Sequence, residues 1–302
     1  MRTTSSSGQV CEAQRNERTD MLDRAQRLRP RMMSVAYRML GSVVDAEDAV
    51  QDAFLRLQGA EDVTSPEGFL VRTTTRRCID QLRAGRRRTG YIGPWVPEPV
   101  DTSAGTQDAS LDESLSQGFL LMLERLSPQE RAAFVLRTVF EYEYSEIADF
   151  LGRSEVYVRQ IVSRAKSHLK QGGPRFRPER ETADALAEKF VAACRAGDVK
   201  LVEQLLTEDV EVHSDGGGKV SAARVVVRGR DRTARFLAKV FHCKRRDYDM
   251  RTAMVNGAPG VVFTLNGVVV HVVSVHVQDG VKAVYMVLNP EKLSRWSVAK
   301  ID

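Results

Sequence analysis

A chain of 302 residues is longer than one compact core usually serves, so several domains are expected. Its net charge of +5 is modest for a nucleic-acid binder, which leaves the distribution of charge as the informative quantity. No apolar run approaches the ~20 residues of a membrane span, the start MRTTSSSGQVCEAQRNER lacks the apolar core of a secretory signal, and Cys11, Cys78, Cys194 and Cys243 show no paired spacing, so no membrane partner, metal, cofactor or disulfide framework is expected and a reducing cytoplasm fits.

Residues 1–20 read as a disordered tail. From Met21 the pattern is helical: Leu22, Ala25 and Leu28 lead to Pro30, and Met32, Val35, Ala36, Met39 and Leu40 continue an apolar face to Gly41. The next helix carries Ala46, Ala49, Val50, Ala53, Phe54 and Leu57 at helical spacing behind Ser42 and Asp45, which stand in capping-box positions. Its other face holds Asp45, Asp48, Gln51, Asp52 and Leu55. A third helix opens at Ser65-Pro66 and runs through Phe69, Leu70, Thr74, Cys78, Ile79 and Leu82 into an arginine cluster, Arg76, Arg77, Arg83, Arg86, Arg87 and Arg88, opposed only by Asp80. Cys78 reads as a small core residue.

Residues 91–114 contain Gly93, Pro94, Pro97, Pro99 and Gly105, and Val96 to Glu124 has no Lys or Arg, which together predict a flexible acidic linker. The block over 115–172 starts a capped helix at Ser127-Pro128-Gln129-Glu130 and ends on a helix-turn-helix pattern. Ile147, Ala148 and Leu151 form the inner face of a short helix, Gly152 the turn, Ser154 the N-cap, and Val158, Val162, Ala165 and Leu169 the inner face of a basic second helix. Such a helix suits a major groove; an ordinary helical hairpin with a solvated basic face is the competing reading. After a second linker at 173–178, the block over 179–302 is α+β. Helices near Thr182 to Ala196 and Asp198 to Leu206 precede strands at Val261 to Leu265, Val268 to Val277 and Val281 to Leu288, with hairpin signals at Asn266-Gly267 and Asp279-Gly280.

The layout and wording resemble extracytoplasmic-function sigma factors. MSVAYRMLGSVVDAEDAVQDAFLRL is similar to the family's core-binding segment, SPEGFLVRTTTRRCIDQLR to its minus-ten-reading helix, and LSPQERAAFVLRTVFEYEYSEIADFLGRSEVYVRQIVSRAKSHL to its minus-thirty-five domain. Asp215-Gly216-Gly217-Gly218-Lys219 and Asn289-Pro290-Glu291-Lys292-Leu293, with the linker piece YIGPWVPEPV, resemble the subgroup bearing a C-terminal SnoaL-like extension. The implied fold is multidomain: two all-α sigma domains, a helical bundle over 21–90 and a helix-turn-helix over 115–172, then an α+β cone-shaped SnoaL-like domain over 179–302.

What the resemblance implies is promoter-specific transcription initiation with core RNA polymerase, through the large-subunit clamp helices and flap, and with promoter DNA. Asp45, Asp48, Gln51, Asp52 and Leu55 are the implied docking face; a solvated helix face is the bland alternative. Arg72, Arg76, Arg77, Arg83 and Arg86 would neutralise phosphates at the minus-ten element, and Ser154, Tyr157, Arg159, Gln160 and Arg164 would read the minus-thirty-five element. Ile161 stands where many sigma factors place an arginine, so an apolar base contact is expected there. The two signature motifs would form an adjustable regulatory contact with the sigma modules, in which Lys219, Glu291 and Lys292 pair with charges of a neighbouring domain.

The cone also raises two other readings, an isomerase or cyclase fused to DNA-binding modules and a one-component regulator sensing a small ligand. His213, Asp215, His271 and His276 are the polar candidates for the first. His271 and His276 are an odd number of positions apart, so on a regular strand they face opposite sides. No catalytic residue is therefore assigned, and the acidic-faced helix argues against a simple repressor.

Overall fold

A computed structural model describes residues 18–61, 63–85, 90–103, 115–170, 180–241 and 248–296. The chain divides into two compact units, 1–84 with 126–166, and 85–125 with 167–302. The expected tail lies outside the described residues up to position 17, and the first helix, α1 at 18–27, begins inside it.

The helical unit continues with α2 (Arg29–Leu40), α3 (Val43–Gly59) and α4 (Pro66–Arg83), then α6 (Pro128–Thr138), α7 (Tyr144–Leu151) and α8 (Glu155–Lys170). Local chemistry sets the ends. Gly41 terminates α2 at φ 65°, a left-handed conformation suited to glycine, and Ser42 and Ser65 accept from Asp45 N–H and Gly68 N–H to open α3 and α4. Ser127 and Glu130 exchange both bonds of a capping box at α6. Met32, Val35, Ala36 and Met39 of α2 are buried, as are Ala46, Ala49, Val50, Ala53 and Leu57 of α3 and Leu70, Val71, Cys78 and Ile79 of α4. Burial pushes the Cys78 thiol up to about 12, so it behaves as the packing residue the sequence suggests.

The helices on either side of the linker share this unit. Arg131 of α6 is 3% exposed and donates to the Met39 carbonyl at 2.9 Å, at the open C-terminal end of α2. Burial lowers its guanidinium to about 10. Arg76 of α4 donates to the Phe150 carbonyl at 3.1 Å, at the corresponding end of α7, and Tyr142 O–H donates to Glu67 at 2.8 Å.

The second unit contains α5 (Gln117–Leu123), α9 (Arg180–Ala196), α10 (Val199–Leu205), α11 (Arg230–Phe241) and α12 (Pro290–Leu293) around one mixed sheet. The strands are β1 (Leu206–Asp215), β2 (Val227–Arg228), β3 (Tyr248–Val255), β4 (Ala258–Leu265), β5 (Val268–Val277) and β6 (Val281–Val287), in the order β2-β1-β6-β5-β4-β3. β1 and β6 run parallel and the other neighbours antiparallel. Phe190, Cys194, Val202 and Leu237 from the helices pack on Val210, Val212, Val261, Phe263, Val273, Val284 and Met286 of the inner face. On the outer face Val255, Val262, Val272, Tyr285 and Val287 meet Val96 of the linker and Leu293 and Trp296 from the chain's end. Because both faces are covered, β5 reads as an almost continuous apolar run rather than an alternating one.

The linker departs from its sequence expectation. The linker over 90–103, read as flexible, lies along the outer face of the sheet, fixed by hydrogen bonds described below. By its contacts, helix α5 groups with the second unit.

Candidate nucleic-acid interface and linker clasp

The α7–Gly152–α8 hairpin has the helix-turn-helix geometry its spacing predicts. Gly152 takes φ 62° and its N–H bonds back to α7, while Ser154 accepts from Tyr157 N–H at 3.3 Å and caps α8. Val158, Ile161, Val162, Ala165 and Leu169 form the buried face. Gln160, Ser163, Arg164 and Lys166 lie exposed on the other side, and so does Arg159, whose guanidinium pairs with Glu155 and stacks 4.3 Å from the Tyr144 ring centroid.

Two expected readers are placed differently. Ile161 is only 3% exposed, so it packs the core of the hairpin and offers no apolar contact to a base. Tyr157 is half-buried and its hydroxyl donates to Gln129 of α6 at 2.9 Å, which makes it a brace for the helix.

On α3, Asp48, Gln51, Asp52 and Leu55 recur at helical spacing on one side, with Leu55 59% exposed. Asp52 pairs with Arg56 at 3.1 Å and lies 3.9 Å from Arg77, while Asp45 sits nearer the helix cap. The arginines of α4 divide. Arg77 turns toward α3, Arg83 is exposed beside Asp80, Arg76 holds the end of α7, and Arg72 lines an open recess of about 660 Å³ with Asp149, Gly152, Arg153 and Ser154. Arg86 falls outside the described residues, as do Arg87 and Arg88. α4 thus presents separate basic groups rather than one continuous patch.

The signature motifs of the extension meet on the linker. Asp215, at the end of β1, is fully buried, and its carboxylate accepts from Tyr91 O–H at 2.5 Å, Val96 N–H at 2.8 Å, Gly217 N–H at 3.0 Å and Lys292 Nζ at 2.7 Å. The Lys292 ammonium also donates to the Val96 carbonyl and lies 4.3 Å from the Trp95 ring centroid and 5.3 Å from that of Tyr91. Asn289 caps α12 through Glu291 N–H and donates to Tyr91 Oη at 3.1 Å, with Pro290 opening the helix. Gly216, Gly217 and Gly218 permit this approach. A Cβ on Gly217, which has φ 59°, would stand 2.3 Å from Asn289 Nδ2, and one on Gly218 2.8 Å from Ile92 Cδ1. Leu293 is buried with Val96 and Trp296. Within this unit the motifs meet the linker, and their charges pair internally, Lys219 with Glu291 and Lys292 with the buried Asp215.

A second set of contacts escaped the sequence reading. Asn256, in the β3–β4 turn, exchanges two bonds with Val100, both 2.9 Å, and donates to the Leu115 carbonyl at 3.0 Å. Gln117 of α5 donates to Pro97 O at 3.0 Å and accepts from Ser274 O–H at 2.6 Å, and Trp296 Nε1–H donates to Pro99 O at 2.9 Å. The Asn256-Gly257 pair carried a readable hairpin signal; the adjoining Pro259 and Gly260 obscured it.

The cone's polar candidates are dispersed. His213 pairs across to Tyr285 on the outer face beside Glu211, and His276 shares that face, whereas His271 is on the inner face with Phe263 and Tyr248. The odd-spacing argument for His271 and His276 holds. Burial lowers His271 to about 4 and also lowers His213 against the opposing pull of Glu211, so both imidazoles are neutral at pH 7. Asp215, His213 and His271 share no common pocket wall, since His271 lies on the opposite face of the sheet from the other two.

An exposed basic helix in a helix-turn-helix, an acidic helix face with an exposed leucine, and an α+β extension holding the preceding linker are the features of a transcription initiation factor with a built-in accessory domain. Residues 25–88 match the Sigma-70 region 2 family, 116–169 the Sigma-70, region 4 family, and 187–286 the SnoaL-like domain family. The ECF RNA polymerase sigma factor SigJ of Mycobacterium tuberculosis is 34% identical over 88% of this chain and 91% of its own length. The probable ECF RNA polymerase sigma factor SigI of the same organism is 28% identical over 87% of this chain and 91% of its own. The crystal structure of M. tuberculosis SigJ superposes with a TM-score of 0.71 and 32% identity, covering 88% of this chain and 96% of that one. This chain belongs to the ECF RNA polymerase sigma factors, and within them carries a SnoaL-like extension.

Proposed function

We propose that this sigma factor docks on the large-subunit clamp helices through Asp48, Gln51, Asp52 and Leu55, and holds the minus-ten strand with the exposed arginines of α4. The same reading has α8 read the minus-thirty-five element and the extension tune promoter use through its hold on the linker. The observation that carries it is the outward face of α8, where Gln160, Ser163 and Arg164 stand exposed over a fully packed inner face. The N-terminal half of such a helix is the part that reaches base edges in a major groove.

Geometry adds a requirement. The two promoter elements are named for positions about 25 base pairs apart, roughly 85 Å of duplex at ~3.4 Å per pair. In the helical unit, α4 instead packs directly on α7 through Arg76, so polymerase binding must part the two sets before both elements can be read together. The linker between them then limits their separation, and a clasp on it is a physical handle on promoter spacing. The extension's role in this reading is to bind and hold; its inner face is filled by Phe190, Leu237, Phe263 and Met286.

Docking and reading should fail separately. Asp48→Lys is expected to weaken capture of purified core polymerase whatever the promoter, whereas Arg164→Ala should leave capture intact and reduce promoter use by roughly an order of magnitude, the loss of one side chain's contact with base or phosphate. An Asp48→Lys protein that captures polymerase normally yet loses one class of promoter would show that the acidic face has been misassigned.

A further inference from the structure

Val156 is the second residue of α8 and is 66% exposed, although the helix has a complete apolar inner face in Val158, Ile161, Val162, Ala165 and Leu169. It lies outside that face, and with Gln160 and Ser163 at i+4 and i+7 it forms one exposed stripe. An apolar, β-branched side chain set in water at the end of the helix that enters the groove contributes nothing to the hairpin's core.

On the major-groove edges of the bases the thymine 5-methyl is the one projecting apolar group, the other positions offering hydrogen-bonding groups or, at cytosine, a bare C5–H. We infer that Val156 is a specificity residue that packs on the methyl group of one thymine in the minus-thirty-five element. The inference rests on α8 being the minus-thirty-five reader and supplies the apolar contact that the buried Ile161 cannot make. Gln160, one turn further along the same stripe, is placed to hydrogen-bond an adjacent base edge, so the pair would read neighbouring positions by two different chemistries.

The test uses holoenzyme assembled from purified core polymerase and the full chain. Promoters with a randomised minus-thirty-five element are selected by this holoenzyme, and each thymine in the selected sequence is replaced in turn by deoxyuridine, which lacks only the methyl group. At one thymine the substitution should reduce transcription by the wild-type holoenzyme roughly four-fold, the effect of one buried methyl group, while Val156→Ser holoenzyme uses both templates equally. Val156→Thr, which keeps one methyl, should restore part of the discrimination. Val156 is exposed, so neither variant disturbs the core.

Equal thymine-to-deoxyuridine ratios for wild type and Val156→Ser at every position, or a selected element without thymine, would overturn the assignment while leaving α8 as the reader. A holoenzyme that selects no minus-thirty-five sequence at all would overturn both.

Discussion

Replacing Asp215 by alanine should destabilise the extension by about 3–5 kcal/mol and release the linker from it. The magnitude follows from what remains behind. The Lys292 side chain is only 12% exposed and would lose its carboxylate partner, and Tyr91 O–H and Val96 N–H would lose their acceptor. Asp215→Asn preserves shape and one acceptor oxygen, so a smaller loss is expected. The chain's two tryptophans make the result directly visible: Trp95 lies under Lys292 and Trp296 is buried against Pro99, both in the clasp. The urea transition followed by tryptophan fluorescence should move to lower denaturant, and the emission in buffer should shift to the red. An unchanged midpoint together with unchanged emission would mean that the carboxylate does not hold the linker.

His271→Phe should flatten the acid side of the same stability profile. In the folded chain burial holds His271 at about 4, against 6.5 for the free side chain, so the unfolded chain binds the extra proton first. The stabilisation associated with the neutral imidazole is fully present above pH 6.5 and is lost as pH falls from there through about 4, amounting to about 3 kcal/mol at the lower limit. His213 is shifted in the same sense and retains a weaker dependence in the variant. Phenylalanine suits the site because His271 already packs with the rings of Tyr248 and Phe263 in an aromatic triad. Urea midpoints between pH 7.5 and 4.5 should fall less steeply for His271→Phe than for the wild type; parallel profiles would remove His271 as the source.

Much of this architecture was legible because its signals are local. The capped starts at Ser42, Ser65 and Ser127 and the turn at Gly152 each depend on residues within four positions, and each forms as expected. The strands β4, β5 and β6 showed as valine-rich runs because helices cover one face of the sheet and the linker covers part of the other. β1 and β3 did not. Glu208, Asp209 and Glu211 break the apolar pattern of β1, and β3 is an edge strand with polar Asp249, Arg251 and Thr252.

The clasp was half legible. Its two motifs stood out, but their target did not, because Asp215 and Val96 are far apart in sequence and a Pro-rich segment looks unstructured until its carbonyls and remaining N–H groups find partners. On α8 the helical phase placed Val158, Val162, Ala165 and Leu169 inside and Arg159, Gln160 and Arg164 outside, as the structure has them. It did not show that Tyr157 turns toward Gln129, that Ile161 belongs to the inner face, or that Val156 is left outside.

The claim that the extension governs promoter use is tested most directly by transcription in vitro with purified core polymerase, comparing the full chain with a graded set of C-terminal truncations reaching back to Gly172. Core polymerase alone should give no specific transcript, the full chain should give one, and truncations that remove the Asn289 to Leu293 segment and then Asp215 should change its level by about five-fold or more, the range of a regulatory coupling. Equal transcription by the full chain and by every truncation would contradict the account.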